Sequence, residues 1–370
     1  MPTAGGPNTL GESNLVFAYD TGDVKNSYIG EPTTNVATGT LTPYTPYNTM
    51  TRSGQDLTIT MVGGSALYLT FHNGTDYNGQ TITLSGYMFK NGIPHTLPNN
   101  RANTYHTVAA SKWYFDSVTG YFEIVEVCNA SSIWLFHTPS GASGGDVITI
   151  LDFQVEIKTH ATPFVNGARS ATQGLLPLAG TGSVDLSNVS FDSSAKMVFD
   201  GTNDYISIPS KSFAINQPWS FSLFVKTNTA ISSAWKNLIG ATGDTECMWM
   251  MHPAGFALYQ AYYSSQTYIW WSGIDATNMP VGTWNDITIT CTPVSSTVTN
   301  FTSYLNGIQK NKSDFTWAPI NNTQVFTRIG GNGDRYFHGE VPVAKIYNRA
   351  LTAQEVKQNY QQYKTRFNLS

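Results

Sequence analysis

The sequence predicts an all-β protein, built of antiparallel β-sandwich domains plus one short C-terminal helix, and three observations carry that reading. Short runs that alternate apolar and polar residues recur along the chain, as half-buried strands require. Aromatic residues make up 13% of the 370 residues, and 32 glycines together with many Thr, Ser and Asn supply tight turns between such strands. Convincing helical spacing is confined to residues 352–367.

That helix has a readable start. Thr352 followed three residues later by Glu355 is a capping box, and Leu351 ahead of the cap can staple onto Val356. Val356, Tyr360, Tyr363 and Phe367 then form one apolar stripe, while Lys364 and Arg366 complement the negative end of the helix dipole. Ahead of it, residues 339–347 read as a strand with Pro342 near its beginning, and 348–351 as the turn into the helix.

From the N-terminus, residues 1–13 are small, polar and rich in Gly and Pro, the composition of a flexible arm. Residues 14–20 alternate well enough for a strand, ended by Thr21-Gly22-Asp23. Further strand-like runs occupy 56–62, 66–71, 80–89, 121–127, 132–136 and 146–156, separated by turn clusters such as His72-Asn73-Gly74 and Ser143-Gly144-Gly145. In 219–226, Trp219, Phe221, Leu223 and Val225 point to one face and Ser220, Ser222 and Lys226 to the other, with Phe224 as the exception. Ile287, Ile289 and Cys291 give a second inward face, and Asn306-Gly307 is a type I′ hairpin signal because both central positions need positive φ.

Length and charge bound the possibilities. A chain of 370 residues has room for two domains, each with a sizeable core. Twenty basic against 24 acidic residues, a net charge of −4, leave no basic field for nucleic acid. No apolar run approaches a membrane span, and the N-terminus lacks a charged-then-apolar signal, so neither membrane insertion nor export by a signal peptide is expected. Cys128, Cys247 and Cys291 are widely spaced without a metal-ligand pattern and read as small buried hydrophobes of a chain folded in a reducing cytoplasm.

Residues 339–356 resemble the closing signature of laminin-G-like modules of the concanavalin A-like lectin/glucanase superfamily: a glycine-led strand, a Tyr-Asn-Arg-Ala-Leu turn and a short helix with an early Glu. Three further stretches match in the family's order: 199–206, 219–226, and 284–290 followed by Tyr304-Leu305-Asn306-Gly307. In such modules a strand like 15–20 stands close ahead of the Phe-Asp-Gly turn, whereas here a long stretch intervenes. The resemblance therefore implies a flexible arm at 1–13, a discontinuous laminin-G-like domain formed by 14–30 and 168–370, and an inserted domain at 31–167. The insert resembles jelly-roll carbohydrate-binding modules, with Asp152, Val155 and Ile157 a partial match to their last strand. Residues 27–35 and 161–170 resemble stretches of tailed-bacteriophage virion structural proteins.

Catalytic signals are poor. Gly141-Ala142-Ser143-Gly144-Gly145 matches a hydrolase nucleophile pattern, but that chemistry needs a strand-turn-helix elbow and the following residues 146–151 are strand-like, so a hairpin loop is expected. Glucanases of the concanavalin A-like fold align two Glu and an Asp at alternate strand positions. Asp244-Thr245-Glu246 is the nearest approach, with Gly240 and Thr242 where a further acid belongs. Glu123 and Glu126, three apart, face opposite ways on a strand. The protein is therefore expected not to be an enzyme.

For a metal, Asp200, Asn203 and Asp204 offer oxygens at turn spacing to a structural calcium ion, and Asp152 is a candidate ligand of a structural calcium by analogy with the jelly-roll modules. The competing reading of 200–204 is an Asx-rich hairpin turn that satisfies its own backbone. Glycan binding needs exposed rings with polar neighbours. Tyr259, Tyr262, Tyr263, Tyr268, Trp270 and Trp271 cluster with Gln260, Gln266 and Ser272, and adjacent Trp270 and Trp271 cannot both face inward. Trp113 and Tyr114, beside Arg101 and His106, form a second candidate. For each ring, core packing or a subunit contact is the competing reading.

Together these imply a non-catalytic phage virion structural protein, a fibre or head decoration assembled in the host cytoplasm and carried on the particle surface. It would dock on other virion proteins as a homo-oligomer, a trimer being favoured, and present lectin-like domains to host-surface glycans. A purely architectural capsid or tail cement protein is the alternative, and a glycan hydrolase the third reading.

Overall fold

The computed structural model describes residues 12–38, 40–43, 48–62, 69–72, 76–95, 112–128, 133–136, 143–230, 235–241, 247–262, 266–317 and 323–369. They form an all-β structure with one α-helix, Ala353–Lys364, and the chain divides into two compact units. One comprises Met1–Gly30, Ala171–Asp192 and Lys196–Ser370; the other comprises Glu31–Ser170 with Ser193–Ala195.

The first unit is a sandwich. Its eight-stranded sheet runs Ser190–Phe191, Met197–Asp200, His338–Tyr347, Trp219–Thr227, Trp284–Pro293, Val298–Leu305, Ile308–Thr316, with Leu15–Asp20 also paired to His338–Tyr347. The seven-stranded sheet runs Asp185–Asn188, Tyr205–Ala214, Thr323–Ile329, Lys236–Gly240, Cys247–His252, Gly255–Tyr262, Gln266–Ile274. One core holds inward side chains of both sheets, centred on Trp219, whose ring meets Phe221, Trp249, Phe301 and Phe326 within 6.1 Å. Such offset and edge-on pairs add to the apolar burial itself. Asn306 and Gly307 carry the positive φ values of 53° and 75° that the hairpin between its two strands demands.

The strand Trp219–Thr227 departs from the half-buried pattern. Trp219, Phe221, Leu223 and Val225 fill the core, but the opposite face is covered too, because the helix lies on it. Phe224 packs there with Tyr363 and Phe367, ring centroids 4.8 and 4.9 Å away, which explains its break in the alternation. Thr352 and Glu355 form the expected capping box, and Leu351 packs beside Val356. Hydrogen bonding to Arg349, foremost, with the Thr352 N–H and hydroxyl, lowers the Glu355 carboxyl to about 2. Arg366 pairs with Asp20, tying the helix end to the N-terminal strand.

Glu12 and Ser13, the first described residues, are tied to the C-terminal strand and the turn after it. Glu12 accepts from Lys345 Nζ at 2.8 Å and from the Tyr347 hydroxyl at 2.6 Å, and Arg349 Nε donates to the Ser13 carbonyl at 3.1 Å. A buried cation such as Lys345 needs a partner, and Glu12 supplies one. Nearby Asp286 is fully buried, its Oδ1 accepting from Ser222 at 2.9 Å. Burial, offset by that hydrogen bond and by Lys345, pushes its carboxyl up to about 7.

The second unit has a seven-stranded sheet ordered Asn48–Ser53, Asp56–Met61, Val147–Glu156, Thr81–Lys90, Tyr121–Val127, Lys112–Phe115, with Ile93–Pro94 on the edge of Thr81–Lys90. A three-stranded sheet joins Ile133–Phe136, Leu69–His72 and Thr40–Pro43. The unit closes where it begins and ends: Thr33–Thr34 pairs with Ala168–Arg169, and Arg169 donates through Nε and Nη2 to the Glu31 carbonyl at 2.9 and 2.7 Å. Glu31 also pairs with Lys158 and, at 2.6 Å, with His160 Nε2. Buried Glu156 accepts from Thr33, Gln154 and Thr162, so its charge is met on both oxygens.

Two stability measurements check this account. Thr352→Ala removes the cap and is expected to lower the urea-unfolding free energy by about 1 kcal/mol. Asp286 has a folded pKa above its unfolded value, so its contribution is fully present below about pH 4 and is lost as pH rises through about 7. Asp286→Asn is therefore expected to gain on the unsubstituted protein as urea midpoints are followed from pH 4 to pH 8.

Candidate functional site

The seven-stranded sheet of the first unit sorts its side chains by register. Residues directly paired across antiparallel strands share a face. The row Ile239, Trp249, Leu258, Trp270 belongs to the core. The neighbouring row Asn237, Met250, Ala257, Trp271 therefore faces outward, as do Met248 and Tyr259 in the next outward row and His252 at the strand end.

Trp235, two residues ahead of Asn237, comes to the same face, and its ring joins the others into a platform. Its centroid lies 5.7 Å from Trp271 with the planes 26° apart, 5.1 Å from Tyr259 and 4.4 Å from His252. Trp271 is 39% exposed and Ile269 beside it is also open, whereas Ala257 is small and fully covered. Across Tyr259 lies the Arg335 guanidinium, 5.1 Å from the ring centroid. Its loop is held by the Asn237 N–H, which donates to the Arg335 carbonyl at 2.9 Å, and by Asn332, whose Nδ2 lies 3.2 Å from Met248 Sδ. Next to His252 a cleft of about 100 Å³ opens, lined by Met251, Phe256, Ile274, Asp275 and Met279 among others.

Of the rings expected here, Trp271 is on the platform with Tyr259. Trp270 is not: it is 4% exposed, packs on Trp249 and Phe301, and donates from Nε1 to Ser313 Oγ at 2.9 Å. Strand alternation sends one of two adjacent residues each way, and the register puts Trp270 inside. Tyr263 lies outside the described residues, as do the side chains of Tyr262 and Tyr268. Trp235, His252 and Arg335 were not among the expected residues. Trp235 could have been found from its even spacing to Asn237, but nothing in the sequence joins the loop residue Arg335 to Tyr259.

The second candidate also splits by alternation. Trp113 turns onto the core of its unit, while Tyr114 is 47% exposed on the other face. There it gains unforeseen neighbours, Tyr121 at 6.2 Å between centroids and, 5.5 Å beyond, Tyr87, which is 37% exposed. Lys112 and Glu123 are ion-paired on the same strands at 2.6 Å. Arg101 and His106 lie outside the described residues.

The oxygen-rich turn at 200–204 is engaged by its own backbone. Asp200 Oδ1 accepts from the N–H groups of Thr202 and Asn203, and Asp204 accepts from the N–H groups of Asp200 and Ser190 and from the Ser190 hydroxyl. Its oxygens have the partners an Asx turn provides, and a calcium ion would have to compete for them. Asp152 belongs to the other unit, at positive φ beside Asp56; burial and that like charge raise its carboxyl above the usual range. Ser143 sits in an exposed turn between strands, its N–H donating to Asp146, without a helix behind it. Asp244 and Glu246 lie outside the described residues.

Residues 200–357 match the family model of the concanavalin A-like lectin/glucanases superfamily. The matched stretch includes every platform residue and the segments at 219–226 and 339–356 that carried the resemblance. Among solved structures, the chain is similar to domain 4 of AbnA, a GH43 extracellular arabinanase from Geobacillus stearothermophilus, in complex with arabinotriose: 22% identity over 49% of this chain and 82% of that one, TM-score 0.34. It is also similar to the binding domain of Paraclostridial Mosquitocidal Protein 1, at 14% identity over 49% of this chain and 47% of that one, TM-score 0.33. The receptor binding domain of botulinum neurotoxin C/D mosaic serotype gives 14% identity over 51% of this chain and 48% of that one, TM-score 0.37. The chain thus spans about half the length of the two toxin domains. No curated protein sequence matches it.

The two adjacent tryptophans should separate cleanly by stability. Trp270→Ala is expected to lower the unfolding free energy by about 3–5 kcal/mol, and Trp271→Ala by no more than about 0.5 kcal/mol; urea titrations of both variants check the assignment of faces.

Proposed function

We propose that this is a non-catalytic glycan-binding protein whose concanavalin A-like module presents the Trp235, Tyr259 and Trp271 platform to saccharide. The observation that carries the reading is the outward grouping of these rings with His252 and Arg335, with Trp271 left open to solvent on a rigid sheet. Aromatic faces take the C–H face of a sugar ring, and adjacent polar groups fix its hydroxyls. The Tyr87, Tyr114 and Tyr121 face of the second unit offers a further contact of the same kind.

Among the described residues the side chains grouped on the platform are aromatic, amide and cationic, with Asp275 and Asp334 at its margin, whereas glycoside hydrolysis uses a pair of carboxyl groups set across the bond. That favours binding without turnover. In keeping with the resemblance at 27–35 and 161–170, the setting we propose is a phage particle, with the protein a fibre or head-decoration component in homo-oligomeric form that brings the virion to host-surface glycans. In the architectural reading the same rings would instead be covered by another copy or another virion protein.

A glycan array and whole-cell binding assay on the purified, assembled protein tests the proposal. The unsubstituted protein is expected to bind, and Trp271→Ala and Trp235→Ala to bind at least about tenfold more weakly with unchanged thermal unfolding. Binding is expected to persist in calcium chelator, since the Asp200 and Asp204 oxygens already accept backbone N–H groups. Failure to bind by a folded assembly, or undiminished binding by Trp271→Ala, would overturn the platform assignment.

A further inference from the structure

The platform has polar atoms beside it that the protein itself leaves unpaired. Asn237 is fully buried on the platform face, and neither its Nδ2 nor its Oδ1 has a hydrogen-bond partner. Arg335, whose carbonyl receives the Asn237 N–H, has its Nη1 covered from solvent and likewise without an acceptor. Its ion-pair partner, Asp334, stands 3.8 Å from Nε with a side chain 97% exposed, a separation and exposure at which an ion pair contributes little. Buried donors and acceptors in native proteins are nearly always matched, and an orphaned cationic N–H is the most unfavourable kind to leave. Three such atoms on two residues joined by one hydrogen bond, next to stacked rings, mark a place where something else completes the bonding.

We infer that the site takes a saccharide bearing a carboxylate, with the acid group on Arg335 and a neighbouring hydroxyl on the Asn237 amide. This rests on the glycan-binding reading and names its ligand class. The guanidinium is a planar fork whose geometry matches a carboxylate, and the charge-assisted bonds it makes are roughly twice as strong as those to a neutral hydroxyl. Tyr259, under the same guanidinium, holds it in place from below without competing for its N–H groups, because a ring face offers no strong acceptor. Asn237 offers one donor and one acceptor side by side, the complement of a sugar hydroxyl. Trp235, two residues away on the same face, stacks toward Trp271.

The test is an array of neutral and carboxylate-bearing glycans, followed by titration with polygalacturonate or whichever acidic glycan binds best and with its carboxyl-reduced form. The acidic form is expected to bind at least about tenfold tighter. Arg335→Gln should abolish that preference, and Arg335→Lys should restore part of it. Asn237→Leu, of similar size, should raise the thermal midpoint of the free protein and weaken binding of both forms. Binding confined to neutral glycans, or a preference for acid that survives Arg335→Gln, overturns the inference and leaves the platform in place. Absence of any glycan binding overturns both. A lowered midpoint with unchanged affinity in Asn237→Leu removes Asn237 from the site.

Discussion

The first unit depends on one strand near the C-terminal end, His338–Tyr347. It pairs along one side with Trp219–Thr227 and along the other with Leu15–Asp20 and Met197–Asp200, so three distant parts of the chain meet on it. Gly339 allows one of those approaches, since a Cβ there would lie 2.1 Å from the Lys226 carbonyl oxygen. Closing such long loops is unfavourable in chain entropy, though only logarithmically so. Polar ties reinforce the apolar gain here: the Tyr19 hydroxyl donates to the Val341 carbonyl at 2.8 Å, and Arg366 pairs with Asp20.

The helix leaves the central strands of the eight-stranded sheet buried on both faces, and this changes the chemistry of the residues beneath it. Ser220, Ser222, Asp286 and Lys345 would be ordinary outward polar residues on an open sheet, yet each is buried. Hydrogen bonds absorb most of that unfavourable desolvation, as when Ser220 donates to the Arg349 carbonyl and accepts from the Leu351 N–H. Among the described residues no such helix lies on the seven-stranded sheet. Its outer side is free to hold rings, and the aromatic core behind it, with Trp249 and Trp270 edge-on at 5.9 Å, keeps the supporting strands rigid.

The unpaired atoms of Asn237 and Arg335 fit the same contrast. Where a polar group serves the fold, as at Glu12, Glu156 or Asp204, its partners are present in the chain. Asp20 Oδ2, Asp286 Oδ2 and the Tyr363 hydroxyl are also buried without partners, and what sets Asn237 and Arg335 apart is the ring platform beside them.

What the sequence determined by itself was local. The capping box of Thr352 and Glu355, the φ values at Asn306-Gly307, the alternation that sends Trp219 and Phe221 inward and the backbone-satisfying turn at Asp200 each involve residues a few positions apart, whose geometry follows from covalent connection. Alternation also required one of Trp270 and Trp271 to face outward, and likewise one of Trp113 and Tyr114. Which one was decided by the register, because only pairing with Leu258, and of that strand with Trp249, sets which row meets the core. The platform was decided there too: Trp235, His252, Tyr259 and Trp271 come from four separate stretches, and Arg335 from a distant loop. Local spacing fixes a side chain's face on its own strand, but cross-strand neighbours are set by long-range hydrogen bonding and core packing, and a binding surface is made of such neighbours.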